Sequence, residues 1–598
     1  MNNSSRRLLP PLAALVLSLV LARCGGGGGS SSSAPPPPPP KPPPPPPPML
    51  VKVPRPKINI PPDPVDTTLP LHLENLYITQ ESQRLDRSVP LVQGRDGMLR
   101  VFVLANAPVA PAPTVRARIQ DASGKVLLEQ DVAGPPGGVP RRIDEAVLDN
   151  AWNLPIPGSL IQPGITVTAS VIDPPHGVPT GILDFPADGK PLPLDVVPTP
   201  PLDLVLIPIR TPRGVGQIVG PGRTLESWAG LLKRCYPMGQ VNLSVGNEFR
   251  TDLDPADDDQ QTRLMRDLEA KRLATGRHDR QYFYGVFPAG GRLPGRGLTP
   301  KYLTSADRTA VGWDYRSPDY PRAGYAETLV HELGHNLGLE HADCGEHGVY
   351  PDNIDPENPY KGGEIGACGF DLADGRPVPP THKDVMTYCS DQWSSDYDCR
   401  FILAFRAGDL PSGPGRSEAP AEDCLLVQGT IGHGRAALDP AFPVHRPPLP
   451  PGPGDYQLAA VDRAGKVLAS ESFEPAAVGP EGASAGLQAF TLVLPLDQAG
   501  QRSLAALQVS REGELLGERR AARPAHAPGA HAVHQRGGRA RLTWDAKDYP
   551  EAVVKDPRSG EVVAVGESGK LDVAAPGRDL DVLFSDGLHT VEQDVKVK

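Results

Sequence analysis

The eleven residues His331-Glu-Leu-Gly-His-Asn-Leu-Gly-Leu-Glu-His341 constrain this chain more than any other feature, because they dictate a local fold and a chemistry together. On a helix, residues four apart share a face, so His331 and His335 project toward one point. Gly338 permits a backbone turn of positive φ that ends the helix and brings His341 round to the same point. Leu329, Val330, Leu333 and Leu337 can bury the opposite face against a sheet. Neutral imidazoles suit zinc, at about 2.0–2.1 Å per bond, and three protein ligands leave a position open for water. Glu332, beside the first ligand, is placed to act as base on metal-activated water. One helical histidine alone reads as an ordinary core or surface residue, but five defined positions at fixed spacing do not. The expected site is therefore His331, His335 and His341 around Zn2+, with Glu332 as the catalytic base.

The pattern resembles the metzincin clan of zinc endopeptidases. That clan implies a tight turn carrying a methionine beneath the metal, and Asp384-Val-Met-Thr-Tyr-Cys389 is similar to it, with Met386 as the floor. In the astacin-like and serralysin-like branches a tyrosine two residues further on reaches the metal and helps hold the reacting oxyanion. Tyr388 has that position; a tyrosine packed under the loop is the alternative. A β-domain followed by this motif and turn, with Trp393 to Tyr397 downstream, looks like exported bacterial metzincins that include mucin-degrading enzymes. The resemblance implies an endopeptidase acting on extracellular proteins or glycoproteins. The reading from another class is a surface adhesin or glycan-binding protein with a vestigial zinc domain.

At 598 residues the chain exceeds one core, and a multidomain protein is expected. Leu99-Arg-Val-Phe-Val-Leu and Val115-Arg-Ala-Arg-Ile alternate as half-buried strands do, with turns at Gly94–Gly97 and Ala122–Lys125, so residues 66–198 read as a β-sandwich-like domain. From 199 to 415 strands and helices alternate: a buried strand at Leu204–Ile209, a helix from Thr224 to about Arg234, another from Gln260 to Ala274, and a strand at Gln281–Phe287. This α/β stretch holds the motif and is the metzincin-type catalytic domain that the resemblance implies. Thr304 to Tyr315, with Gly312 and Trp313, is a candidate cleft-edge strand for an extended substrate. Hairpins around Asp462–Gly465 and Asp556–Gly560 return the chain to β structure, read as sandwich-like domains at 416–525 and 526–598.

The first 24 residues read as an export signal: Arg6 and Arg7, an apolar stretch from Leu8 to Ala22, then Cys24. This resembles a bacterial lipoprotein signal with Cys24 as the lipidated residue, although Arg23 stands where a small residue is usual. An ordinary cleaved signal is the alternative, so the protein is expected to be exported, as a membrane-anchored lipoprotein or secreted. Residues 25–65 are a linker, Gly/Ser-rich and then proline-rich, whose Pro35–Pro48 run would form a polyproline II rod of roughly 40 Å. The six cysteines after Cys24 suggest disulfides, with fifteen possible pairings left open. Cys344 is expected in a disulfide rather than as a fourth ligand. A net charge of −11 with no basic stripe argues against nucleic acid as a partner. The acidic runs Asp252–Asp259 and Asp352–Glu357 lack the order of a calcium loop. His526, His531 and His534 read as linker residues.

Overall fold

The strand Leu202–Thr211 is apolar on both faces. Leu204 and Leu206 enter one core, while Val205, Ile207 and Ile209 enter another. Such a strand needs cover on both sides, and a parallel sheet flanked by helices supplies it. It pairs in parallel with Val241–Val245, Phe249–Arg250 and Tyr282–Phe287, and Thr309–Trp313 continues the sheet beyond the last of these. Four helices belong to this region: α1 (Leu225–Cys235), α2 (Asp258–Ala274), α3 (Gly324–Asn336) and α4 (Asp396–Ala407). Trp228 of α1, Leu329 and Leu333 of α3 and Phe401 of α4 fill the first core; Leu264 and Leu268 of α2 fill the second. Thr224 caps α1 by accepting from the Ser227 amide at 3.2 Å, and Ser227 Oγ accepts from the Thr224 amide at 3.1 Å.

The structure is a computed structural model. It describes residues 53–60, 63–255, 257–274, 280–288, 308–315, 324–345, 354–389, 391–408, 420–448, 454–477, 487–521, 526–558, 560–574 and 579–598. Cys24, the signal to which it belongs, most of the 25–65 linker, and residues 304–307 and 352–353 of the stretches named above lie outside them. The protein is multidomain and mostly β, with five α-helices among the described residues. None of these is long and apolar enough to cross a membrane.

Ahead of the α/β region, a sheet of His72–Thr79, Gly97–Leu104 and Trp152–Ile156 shares a core with a sheet built on Val115–Gln120 and Thr166–Val171. The alternation at Val115–Gln120 is as expected, with Val115, Ala117 and Ile119 inside. Gly97–Leu104 differs, because its second face is also covered. Arg100 is fully buried there, donating to the Glu145 carbonyl at 2.5 Å and the Val147 carbonyl at 3.0 Å. The loop that covers this face turns these two carbonyls inward, and a guanidinium is able to satisfy both at once.

After the α/β region, a five-stranded sheet built on Glu422–Gly432 shares a core with a four-stranded one built on Tyr456–Asp462. The last segment has an unexpected relation to the α/β region, since Arg250 pairs with Ala564 and merges the two sheets into one of ten strands. His531 and His534, read from sequence as linker, lie on the strand His531–Gln535. A buried charge network supports the junction. Arg263 of α2 reaches Asp267 at 2.7 Å, Asp439 at 2.9 Å, Glu551 at 3.1 Å and Glu567 at 2.9 Å. Lys271 also donates to the Val562 carbonyl at 2.6 Å.

Within that network burial pushes the Glu551 carboxyl up to about 8, with Arg263 pulling the other way. The folded state therefore holds a proton that the unfolded chain releases near the ordinary value of 4.5, and this carboxyl makes stability fall as pH rises between those limits. Glu551→Gln removes that loss. Its stability relative to the parent, followed by urea denaturation, is expected to rise by on the order of 2 kcal/mol from pH 5 to pH 8. A constant difference would contradict the assignment.

Candidate metal centre

Helix α3 carries His331 and His335 one turn apart, and each has its Nδ1 spent on a backbone carbonyl. His331 Nδ1 donates to Val385 O at 3.0 Å and His335 Nδ1 to Leu339 O at 2.9 Å. A carbonyl only accepts, so both rings carry the Nδ1 proton and present an Nε2 lone pair. The two lone pairs meet a third ring nitrogen: His341 Nε2 is 3.2 Å from His331 Nε2 and 3.1 Å from His335 Nε2. All three rings are buried.

Lone pairs brought this close in a buried place repel unless a cation stands among them. Bonds of about 2.0–2.1 Å in a tetrahedral arrangement place neighbouring nitrogens about 3.3 Å apart. The spacings observed lie near that value, so these side chains fit a small divalent ion. They are also the one such group of histidine, cysteine and carboxylate ligands among the described residues.

The chain reaches this geometry through a required glycine and a required turn. Gly338 has φ +86°, and its amide donates to His335 O at 2.8 Å, closing α3. A Cβ there would also meet the Phe401 and Phe405 rings at 2.9–3.1 Å. His341 follows three residues on, with its carbonyl accepting from the Asp355 amide at 2.9 Å.

Beneath α3 lies Met386, 1% exposed. A Cβ on Gly334 would stand 2.5 Å from the Met386 sulfur and from Tyr236 Oη, so only glycine lets α3 sit on this floor. Tyr236 Oη donates to the Val330 carbonyl at 2.9 Å, and the Ala342 amide donates to Met386 O at 3.1 Å. Asp384 shapes the turn by accepting from the Met386 amide at 2.8 Å and from the Ser395 amide at 3.3 Å. Burial raises both Asp384 and its hydrogen-bonded neighbour Asp398. The Asp384 charge then drives Asp398 well above the carboxylate range, so Asp398 keeps its proton and donates to Asp384.

Tyr388 brings its hydroxyl to the histidines, 2.8 Å from His341 Nε2, and its ring stacks on His331 with centroids 5.5 Å apart. Glu332 is buried beside His331 in α3, 1% exposed. The disulfide Cys344–Cys389 joins the segment after His341 to the residue after Tyr388. This is the one pair formed by the described cysteines. Cys235, Cys368, Cys399 and Cys424 are buried thiols outside it, so among the described residues a single staple stands where an even count suggested a wider disulfide framework. Cys235 and Cys424 fill separate hydrophobic cores, where a thiol packs as a small apolar group. With its sulfur in the disulfide, Cys344 is not a fourth ligand.

Thr309–Trp313, within the stretch expected to edge a cleft, is the end strand of the sheet among the described residues and is buried along its length. Asn336 of α3 donates to the Thr309 carbonyl at 3.2 Å. Of the acidic runs, Asp254 pairs with Arg213 at 2.7 Å, Asp257 caps the Gln260 amide at 3.0 Å, and Asp355 serves the His341 segment.

Sequence reasoning missed Tyr236, Asp384 and Asp355. Asp384 alone left a local signal, standing two residues before Met386 as an Asx-type turn residue does.

No protein-family model matches the chain, and no curated protein matches it. Among solved structures, it is similar to a β-glucuronidase of Parabacteroides merdae at 9% identity, over 88% of this chain and 77% of that one, with a TM-score of 0.14. It is also similar to a glycosyl hydrolase family 2 member from Bacteroides cellulosilyticus at 10% identity, over 88% and 79%, with a TM-score of 0.16. At such scores the likeness carries no argument.

The staple yields a prediction. Replacing Cys344 and Cys389 together with serine releases the segment after His341 from the turn after Met386 and so loosens the third histidine. Metal retention against a chelator is expected to weaken about tenfold, as it does when a partner that orients a ligand is lost. Unchanged retention in the folded double variant would make the disulfide irrelevant to the site.

Proposed function

We propose that the chain is an exported zinc-dependent endopeptidase of metzincin type, hydrolysing peptide bonds of extracellular proteins or glycoproteins. The convergence of His331, His335 and His341, whose ligand atoms lie within 4.8 Å of one another, carries this reading. The company of Glu332, the Tyr388 hydroxyl and the Met386 floor supports it. Under it, residues 199–415 are the catalytic domain and the β segments at 66–198, 416–525 and 526–598 are its flanking domains.

A zinc ion held by the three histidines supplies a Lewis acid that polarises a carbonyl and lowers the pKa of water. Glu332 takes the proton from the attacking water and passes it to the leaving amine. The Tyr388 hydroxyl donates to the oxyanion as it develops, a role worth about 10²–10³ in rate. The buried Nδ1 bonds of His331 and His335 hold those two ligand rings still throughout.

Export is supported by the Cys344–Cys389 disulfide, since such bonds persist in oxidising compartments. The reading includes a signal ending at Cys24, with lipid at that residue anchoring the protein to a bacterial membrane or a cleaved signal releasing it.

The test is incubation with a panel of host proteins and glycoproteins, with cut sites mapped by mass spectrometry. Glu332→Ala is expected to keep stoichiometric zinc and lose nearly all cleavage. Tyr388→Phe is expected to keep zinc and KM while kcat falls about 10²–10³-fold. A Glu332→Ala chain that cleaves as fast as the parent refutes the mechanism. A parent that binds glycans and cuts nothing favours an adhesin.

A further inference from the structure

The described chain begins with a short segment, 53–60, that follows the proline-rich stretch and lies against the α/β region. Val53 packs on the core that holds α3 and α4. The carbonyl of Lys57 accepts from Arg400 at 3.2 Å and that of Asn59 from Arg84 at 2.6 Å. Between these anchors Arg55 is turned inward, with only 9% of its side chain exposed. Its guanidinium lies 4.2 Å over the Phe401 ring of α4. From there it reaches two carboxylates, Glu340 at 3.7 Å and Asp355 at 3.4 Å.

Both carboxylates flank the same ligand. Glu340 is the residue before His341. Asp355 donates its amide to the His341 carbonyl at 2.9 Å, and Ile354 bridges His341 as a parallel β partner. Asp355 is fixed from its other side by Tyr397 of α4, whose hydroxyl donates to Asp355 Oδ2 at 2.8 Å. His331 and His335 are held by the helix that bears them, whereas His341 has left that helix at Gly338. Its backbone must be held by something else.

We infer that Arg55 is a positioning residue for the third metal ligand, and that the 53–60 segment is a strap clamping the His341 segment independently of the Cys344–Cys389 staple. A planar guanidinium suits the place because it stacks on an aromatic ring while serving two carboxylates, which an ammonium does not do. The inference rests on the metal reading proposed above.

The experiment follows zinc itself, with no peptide substrate. Full-length parent, Arg55→Met, Arg55→Lys and, as a control, Arg116→Met are loaded with zinc, and transfer to excess chelator is timed. Arg116 pairs with Asp131 at 2.7 Å on the exposed face of the N-terminal sheet, away from the strap. Arg55→Met is expected to lose zinc about tenfold faster than the parent, the lower end of what partners that orient a ligand are worth. Arg55→Lys is expected to restore part of the retention and the control to match the parent. Equal rates for parent and Arg55→Met overturn the strap while leaving the metal site standing. If Arg55→Met does not fold, Arg55→Lys decides: faster loss than the parent supports the strap, and the parent's rate overturns it. A parent that retains no zinc refutes the metal reading itself, and the strap with it.

Discussion

The hydrogen bond from His331 Nδ1 to the Val385 carbonyl joins α3 to the turn that carries Met386, and it does two things at once. It selects the tautomer that leaves the Nε2 lone pair facing the other histidines, and it sets the height of the helix over the methionine. Everything that holds Val385 therefore acts on the candidate metal site. Its amide donates to the Trp393 carbonyl at 2.8 Å. The neighbouring Asp384 is tied to Ser395 and Asp398, at the start of α4.

From α4 the dependence passes to the N-terminal β region. Residues Gln80 to Arg84 form a polar loop that is wholly buried. Ser82 Oγ donates to the Ser394 carbonyl at 2.6 Å, the Trp393 indole donates to the Glu81 carbonyl at 3.2 Å, and Arg84 pairs with Asp396 at 2.9 Å. Five polar residues are buried here because nearly every group they bring finds a partner; otherwise the desolvation cost would expel them. On the other face of the sheet, Arg263 ties α2 to both C-terminal β segments, and the Arg250–Ala564 bridge makes one sheet of two. The β segments thus form the walls that fix the sheet and the turn from which the site hangs, which is a tighter relation than appended modules would have.

What could be read from the sequence was whatever short-range spacing encodes. The histidines at 331, 335 and 341, the glycine at 338, the cap at Thr224 and the doubly apolar strand around Leu204 are patterns within a few residues, and each appears where expected. The positions of Met386 and Tyr388 followed from resemblance; the Tyr388 side chain lies against the histidines, and that of Met386 lies under Gly334 of the helix that bears two of them. The contacts that were not legible join residues far apart in the chain. Arg55 meets Glu340, Ser82 meets Ser394, and Cys344 chooses Cys389 over four other thiols. No periodicity marks such pairs. Arg100 shows the converse: its alternation suggested an outward-facing position, and tertiary cover from the 145–147 carbonyls buried it.

If the proposed zinc site is right, three imidazole nitrogens hold the ion with no sulfur among its ligands. Zinc K-edge X-ray absorption on the full-length, metal-loaded protein tests this without reference to any substrate. The expected spectrum has a first shell of light atoms at about 2.0–2.1 Å with the outer-shell scattering of three imidazoles. That scattering should drop to two imidazoles in His341→Ala. A sulfur shell at about 2.3 Å, or a spectrum unchanged by His341→Ala, would contradict it.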